Sequence, residues 1–482
     1  MYRWLFSSIS ELQKGMDAGE LTATALVELF LKQIAAWNQR GPCLNAVLEI
    51  NPDAWFAAEA LDAERKQQGP RGPLHGIPIL LKDNIDTGDK MHTSAGSLAL
   101  ANSYATRDSA VAAKLRAAGA ILLGKANMTE WANFMTDGMP NGFSSRGGQV
   151  LNPYGPGRFD VGGSSSGSAA AVAASFAVAA IGTETSGSIL SPSSQNSLVG
   201  LKPTVGLISR RGVIPISFSQ DTAGPMAKTV EDVAWLLGEL VGEDVDDIAT
   251  LVGRGKVRRD YSQCLTPDGL QGARLGVPVD VGHEEMSPGQ QHLFQTALRA
   301  LTEAGAELTT HLSLSAATSN RQYTVLTYEF KASLNAYLAN LSRDVLVHSL
   351  AEVLQFNAAH ADVALKYGQS RLVASDQVSG CLTEPEYIEA RLDDLRLSRR
   401  EGLDVFFAQH GLDAVVFAST YGAAIGAKAG YPSLTVPAGY EDSGEPFGIT
   451  FCGPAFSEAT LLKIGYAYEQ ATHCRVAPRL QV

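Results

Sequence analysis

Gly162-Gly-Ser-Ser-Ser-Gly-Ser168 runs directly into Ala169-Ala-Ala-Val-Ala-Ala174, and Gly182-Thr-Glu-Thr-Ser-Gly-Ser188 follows closely. Alone, a Gly/Ser run reads as a flexible linker. This one opens in mid-chain into a small-apolar stretch ending at Ile181, which a linker would not do. Glycine permits tight turns and close backbone approach, and serine hydroxyls both donate and accept. No GKS or GKT closes the run as in a Walker A loop, and no dinucleotide GxGxxG fingerprint is present. In 182–188, consecutive small residues can present successive backbone N–H groups around one point, a nest for an oxyanion. A serine at its end could attack a carbonyl held there. A polar turn capping a helix is the competing reading, and spacing leaves both open.

Outward from this stretch the chain alternates between helical and strand periodicity. Ile77-Pro-Ile-Leu-Leu81 is an apolar run of buried-strand type. Val111, Leu115 and Ala118 form a helix face, Gly119 suits its C-terminus, and Ile121-Leu-Leu123 resumes a strand. Phe294, Ala297, Leu298 and Leu301, then Gly305 and 306–308, repeat the pattern. Thr229 caps a helix with Glu231 and Asp232 in its first turn. Ala414-Val-Val-Phe417, Ser433-Leu-Thr-Val436 and Phe447-Gly-Ile-Thr-Phe451 read as strands, followed by a helix from Ser457 to about Ala471. At the N-terminus, Ser10-Glu-Leu-Gln13 has a capping-box pattern, and Leu26 to Trp37 carries one helical stripe stopped by Gly41-Pro42. Such alternation predicts an α/β sheet covered by helices on both faces. One domain over 1–482 is expected: N-terminal helices in 1–70, a core in 71–242, a partly helical cap in 243–410, and closing strands and helix in 411–482.

The 482 residues are 45% hydrophobic and 18% charged, which excludes a disordered chain, a coiled coil or a fibre. A net charge of −12 argues against nucleic acid as a partner. Cys43, Cys264, Cys381, Cys452 and Cys474 form no CxxC, neither a disulfide framework nor a zinc signature. The opening residues lack a signal-length apolar region, and 169–181 is too short to span a bilayer. A cytoplasmic protein with no membrane partner is expected, with reduced thiols. The nine histidines show no HExxH spacing, so no metal and no cofactor is expected. His75 and His92 read as packing or wall residues.

Lys82-Asp-Asn84 follows the strand run at 77–81. Most lysines at strand ends are surface cations, but one drawn into an apolar site loses its charge and can act as a base. Composition and spacing do not show whether Lys82, Ser164 and Ser188 meet.

Together the three segments resemble the amidase signature family of serine hydrolases. Ser164 precedes Ser188 by 24 positions, the family's separation, and Gly200-Leu-Lys-Pro-Thr204 follows as in the family. The likeness extends to Tyr431–Pro437 and Phe451-Cys-Gly-Pro454 and is weakest in 243–410. It implies a large mixed β-sheet with helices on both faces. It also implies an amide hydrolase with Ser188 as nucleophile, Lys82 as base, and Ser164 as a bridging serine after a cis peptide from Gly163. The backbone amides of Thr185, Ser186, Gly187 and Ser188 would form the oxyanion hole. Asn127, Met128 and Ser165 would line the substrate site, with the loop 127–143 beside the pocket. Glu184, Ser186, Leu190 and Ser166 depart from the family pattern, and Leu190 removes an arginine after the nucleophile. With 199–207 and 214–225, the motif resembles the peptide-amidase branch, whose members deamidate C-terminally amidated peptides. A small-molecule or peptide amide is thus the expected partner, for a monomer or homodimer. An amidotransferase A-type subunit, which keeps the arginine and works in a complex, and an acyl transferase or esterase using the same triad are the alternatives.

Overall fold

The computed structural model describes residues 2–282, 284–314 and 323–480. In chain order the strands are β1 (Val47–Ile50), β2 (Pro78–Lys82), β3 (Ile121–Ala126), β4 (Phe143–Ser144), β5 (Gly148–Gln149), β6 (Ala179–Glu184) and β7 (Val199–Lys202). They continue with β8 (Thr222–Ala227), β9 (Arg274–Pro278), β10 (Glu307–Leu312), β11 (Ala414–Ala418), β12 (Ser433–Tyr440) and β13 (Pro446–Cys452). Among the described residues, eleven of them form one mixed sheet in the order β1-β3-β2-β6-β8-β7-β12-β13-β11-β9-β10, and β4 and β5 form a separate hairpin. The alternation of helix and strand periods is realised as expected, with the sheet clothed by helices.

The chemistry-bearing strands are central. β2 runs parallel to both β3 and β6, so Lys82 at the end of β2 lies beside the end of β6. All five residues of β2 and all six of β6 are buried, as in strands covered on both faces. The Ser166–Ala173 helix is buried at every residue and packs on β2, β6 and β8. Its Gly/Ser/Ala composition reflects close approach. A Cβ on Gly167 would lie 2.3 Å from the Asn127 carbonyl oxygen, to which the Gly167 amide donates at 2.9 Å.

Two local readings need correction. The N-terminal capping box is formed by Ser8 and Glu11, not Ser10 and Gln13, because the helix starts at Ile9 and Ser10 turns to Glu231. Residues 243–410 are not a cap throughout. β9 and β10 from this segment extend the main sheet in parallel with β11, and the helix Pro288–Glu303 packs on β12 and β13. The helical part begins at Thr324, and residues 283 and 315–322 of the segment lie outside the described residues.

The helices between Thr324 and Asp376 share a second core with the loop 128–143. Met128, Trp131, Phe134, Met135 and Phe143 pack with Ile214, Ile216, Phe330, Leu334 and Leu372. Burying several large apolar side chains, at about 2 kcal/mol each, fixes this layer over the ends of β2 and β6. Among the described residues, no helix is long and apolar enough to cross a membrane, and all five cysteines are free.

Candidate active site

Lys82 is fully buried, and its ammonium nitrogen has only neutral hydrogen-bond partners. Nζ lies 2.8 Å from Ser164 Oγ, 2.9 Å from Thr183 Oγ1 and 3.2 Å from the Thr183 carbonyl. Asn84 Nδ2 donates to Thr183 Oγ1 at 3.0 Å, which orients that hydroxyl. With no carboxylate in direct contact, burial dominates and pulls the lysine from its usual range to about 7. The more distant charges of Glu184 and Asp221 partly oppose this.

The serine loop is pinned from several sides. The Gly163–Ser164 peptide is cis, and the Ser164 carbonyl accepts from the Thr129 amide at 3.1 Å. Ser165 Oγ donates to the Thr183 carbonyl at 3.1 Å, and the Ser165 amide donates to the Ser188 carbonyl at 3.1 Å. Ser165 therefore ties the two loops to β6 rather than facing a ligand. Gly182 makes room for it, since a Cβ there would lie 2.8 Å from Ser165 Oγ.

Ser188 is 7% exposed and follows Gly187, whose φ of +80° makes the turn. The buried Glu184 carboxylate accepts from the Ile189 and Leu190 amides at 2.7 and 3.0 Å, at the start of the helix Leu190–Gln195. Burial raises this carboxyl, while Lys202 and those amides favour its charged form. Thr185 Oγ1 donates to Asp221, whose other carboxylate oxygen accepts the Ile216 and Ser217 amides at 2.9 and 2.8 Å. Burial pushes Asp221 up to about 6.

Lys82 and Ser164 are thus brought into contact, and Ser188 is set alongside through Ser165. Among the described residues the Ser188 hydroxyl has no hydrogen-bond partner. The amides of Thr185, Ser186, Gly187 and Ser188 likewise donate no hydrogen bond of ordinary geometry among the described residues. Two expected pocket residues adjoin the serine loop with their side chains buried. Asn127 spends its side chain on Asn45, Gly147, Met128 and Ser144, and Met128 is fully buried in the second core. His75 bonds the Leu61 carbonyl and His92 pairs with Glu49, so both serve packing. Among the described residues, no cluster of three or more His, Cys, Asp or Glu side chains could hold a metal ion. Thr183, Asn84 and Asp221 carry site contacts that sequence reading did not assign, although all three lie within the motifs quoted above.

A family profile described as Amidase matches residues 25–428. The chain belongs to the amidase family. A probable amidase of Arabidopsis thaliana is 40% identical over 98% of this chain and 91% of its own. The crystal structure of a peptide amidase from Stenotrophomonas maltophilia matches this amidase with a TM-score of 0.93 and 45% identity, covering 99% of both chains. The A-type chain of a glutamyl-tRNA(Gln) amidotransferase from Chloroflexus aurantiacus is 34% identical over 98% of this chain and 99% of its own. The protein is accordingly an amidase, hydrolysing carbon–nitrogen amide bonds, on the amidase signature fold.

Proposed function

We propose that this amidase removes the C-terminal amide from peptides through an acyl-enzyme on Ser188, with Ser164 and Lys82 relaying the proton. The observation that carries this is a fully buried lysine 2.8 Å from Ser164 Oγ with no carboxylate in contact. A neutral amine has two N–H donors and one lone pair. Thr183 offers two acceptors, its carbonyl and its hydroxyl, which leaves the lone pair for the Ser164 proton. A lysine near 7 is about half neutral at pH 7, where an ordinary one is neutral about once in several thousand.

In this reading, Lys82 draws the proton of Ser164 as Ser164 draws that of Ser188, and Ser188 Oγ attacks the carboxamide carbon. The developing oxyanion takes the amides of Thr185, Ser186, Gly187 and Ser188. Each such donor contributes about 3–4 kcal/mol to the barrier reduction. The proton returns along the relay to the leaving nitrogen, ammonia departs, and water entering by the same relay releases the acid. The Ser164–Ser188 contact closes in the substrate complex, since such hydrogen bonds are often long without substrate.

Support for a peptide amide comes from likeness to peptide amidases. One of them, 45% identical at a TM-score of 0.94, is described in complex with the competitive inhibitor chymostatin. A fluorophosphonate probe should add mass to the wild-type protein and not to Ser188→Ala. Amidated peptides should lose ammonia faster than aryl acylamides or simple carboxamides, with chymostatin competing. Unlabelled wild type, or equal labelling of Ser188→Ala, would end the reading. An added amine that diverts the product to a new amide would identify an acyl transferase instead.

A further inference from the structure

The loop carrying the oxyanion amides is braced from a part of the chain that lacks any recognisable motif. Glu329 lies on the helix Thr324–Leu338 and is fully buried. One carboxylate oxygen accepts the Tyr387 hydroxyl at 2.9 Å, from the helix Pro385–Leu395. The other accepts the Ser217 hydroxyl and, at 3.1 Å, the Ser219 amide. Ser217 in turn donates its amide to Asp221 at 2.8 Å, and Asp221 accepts Thr185 Oγ1. Gln220 Nε2 donates to the Thr185 carbonyl at 3.2 Å, so both ends of Thr185 are held by the same 216–221 turn. Arg210, paired with Asp247, donates to the Phe218 carbonyl from the outer side.

We propose that Glu329 is a positioning residue for amide hydrolysis: through Ser217 and Asp221 it fixes the turn that aims the Thr185 amide at the oxyanion. This rests on Ser188 being the nucleophile. Glu329 does not touch the reacting atoms. A buried carboxylate is costly to place, and here one oxygen accepts from the cap and the other from this turn, which makes it a stiff joint between the two. Small displacements of a donor matter because oxyanion stabilisation requires preorganised geometry.

The test compares Glu329→Ala, Glu329→Gln and Ser217→Ala with wild type, on an amidated peptide. Wild-type Ser188 is first shown to label with the fluorophosphonate probe. Failure there ends the nucleophile reading, whereas labelling leaves the Glu329 result to stand by itself. Glu329→Ala should lower kcat about 10- to 100-fold, below the ~10²–10³ for losing a donor outright, with KM within about threefold. Affinity for a peptide aldehyde, which forms a tetrahedral adduct, should fall in step with kcat. Affinity for the matching peptide alcohol, which forms none, should hold. Glu329→Gln keeps an acceptor for Ser217 and Ser219 and should recover most of the loss. Should Glu329→Ala fail to fold, Ser217→Ala carries the same comparison with a smaller effect. A folded variant with kcat within twofold of wild type, or equal weakening of aldehyde and alcohol, would overturn the proposal.

Discussion

Replacing Lys82 with methionine should abolish turnover and, near neutral pH, make the protein more stable. Burial brings the Lys82 ammonium from its ordinary value of 10.5 to about 7. At about 1.4 kcal/mol per pH unit, keeping it in the fold costs about 5 kcal/mol at pH 7 and below. Methionine removes that cost while filling nearly the same space. It forfeits the contacts with Ser164 Oγ, Thr183 Oγ1 and the Thr183 carbonyl, at about 1 kcal/mol each. The difference leaves Lys82→Met about 2 kcal/mol more stable at pH 6.5. Between 7 and 10.5 the unfolded chain still holds a proton on this lysine that the folded chain has released. Wild-type stability therefore rises with pH across that window, and the variant lacks the effect. Its advantage should shrink above pH 7 and reverse at roughly pH 8–9. Guanidinium unfolding of both proteins at pH 6.5, 8 and 9.5, alongside turnover of an amidated peptide, checks this. A stability gap indifferent to pH, or turnover that survives the substitution, would refute the buried-base argument.

The remaining predictions concern the same site. For wild type, kcat/KM should climb about tenfold per pH unit below 7 and level off above it, since the base must be neutral to act. A flat profile from pH 5 to 8 would contradict this. Asp221→Asn removes a negative charge that holds the Lys82 proton, so the rising limb should move to lower pH while kcat falls through loss of the Thr185 contact. A move to higher pH would be the wrong sign. Gly182→Ala places a methyl 2.8 Å from Ser165 Oγ and 2.7 Å from Met226 Sδ, and should cost about 1–3 kcal/mol in stability together with most of the activity. Thermal melts and steady-state rates would show it, and an active, unshifted variant would mean the Ser165 tie is slack.

Much of the architecture was legible because periodicity and turn chemistry are local. The helix opening at Val230 does have Thr229 as its cap, the runs at 121–123, 414–417, 433–436 and 447–451 fall in strands, and 77–81 does so from Pro78 on. β9 escaped notice because Arg274-Leu-Gly-Val-Pro278 is short and broken by glycine and proline, and its pairing with β10 and β11 is decided by distant partners. Asn127 and Ser165 show the same limit at the site. Polar residues beside a catalytic motif invite a substrate role, yet their hydrogen bonds go to Gly147, Ser144 and Thr183, which no local pattern specifies. Glu329 had no signal at all, being one acid on a helix in a segment without motifs.

The residue types and their order determined that a lysine, two serines and a run of small amides were available, since the reacting groups are properties of single side chains and short loops. Only the tertiary structure lowered the lysine's hold on its proton. Its proton affinity is set by the exclusion of water between β2, β3 and β6, and by the absence of a carboxylate among its immediate partners. Desolvation is a property of everything packed around an atom, and residues 82, 164 and 183 acquire it only when strands far apart in the chain come to lie side by side.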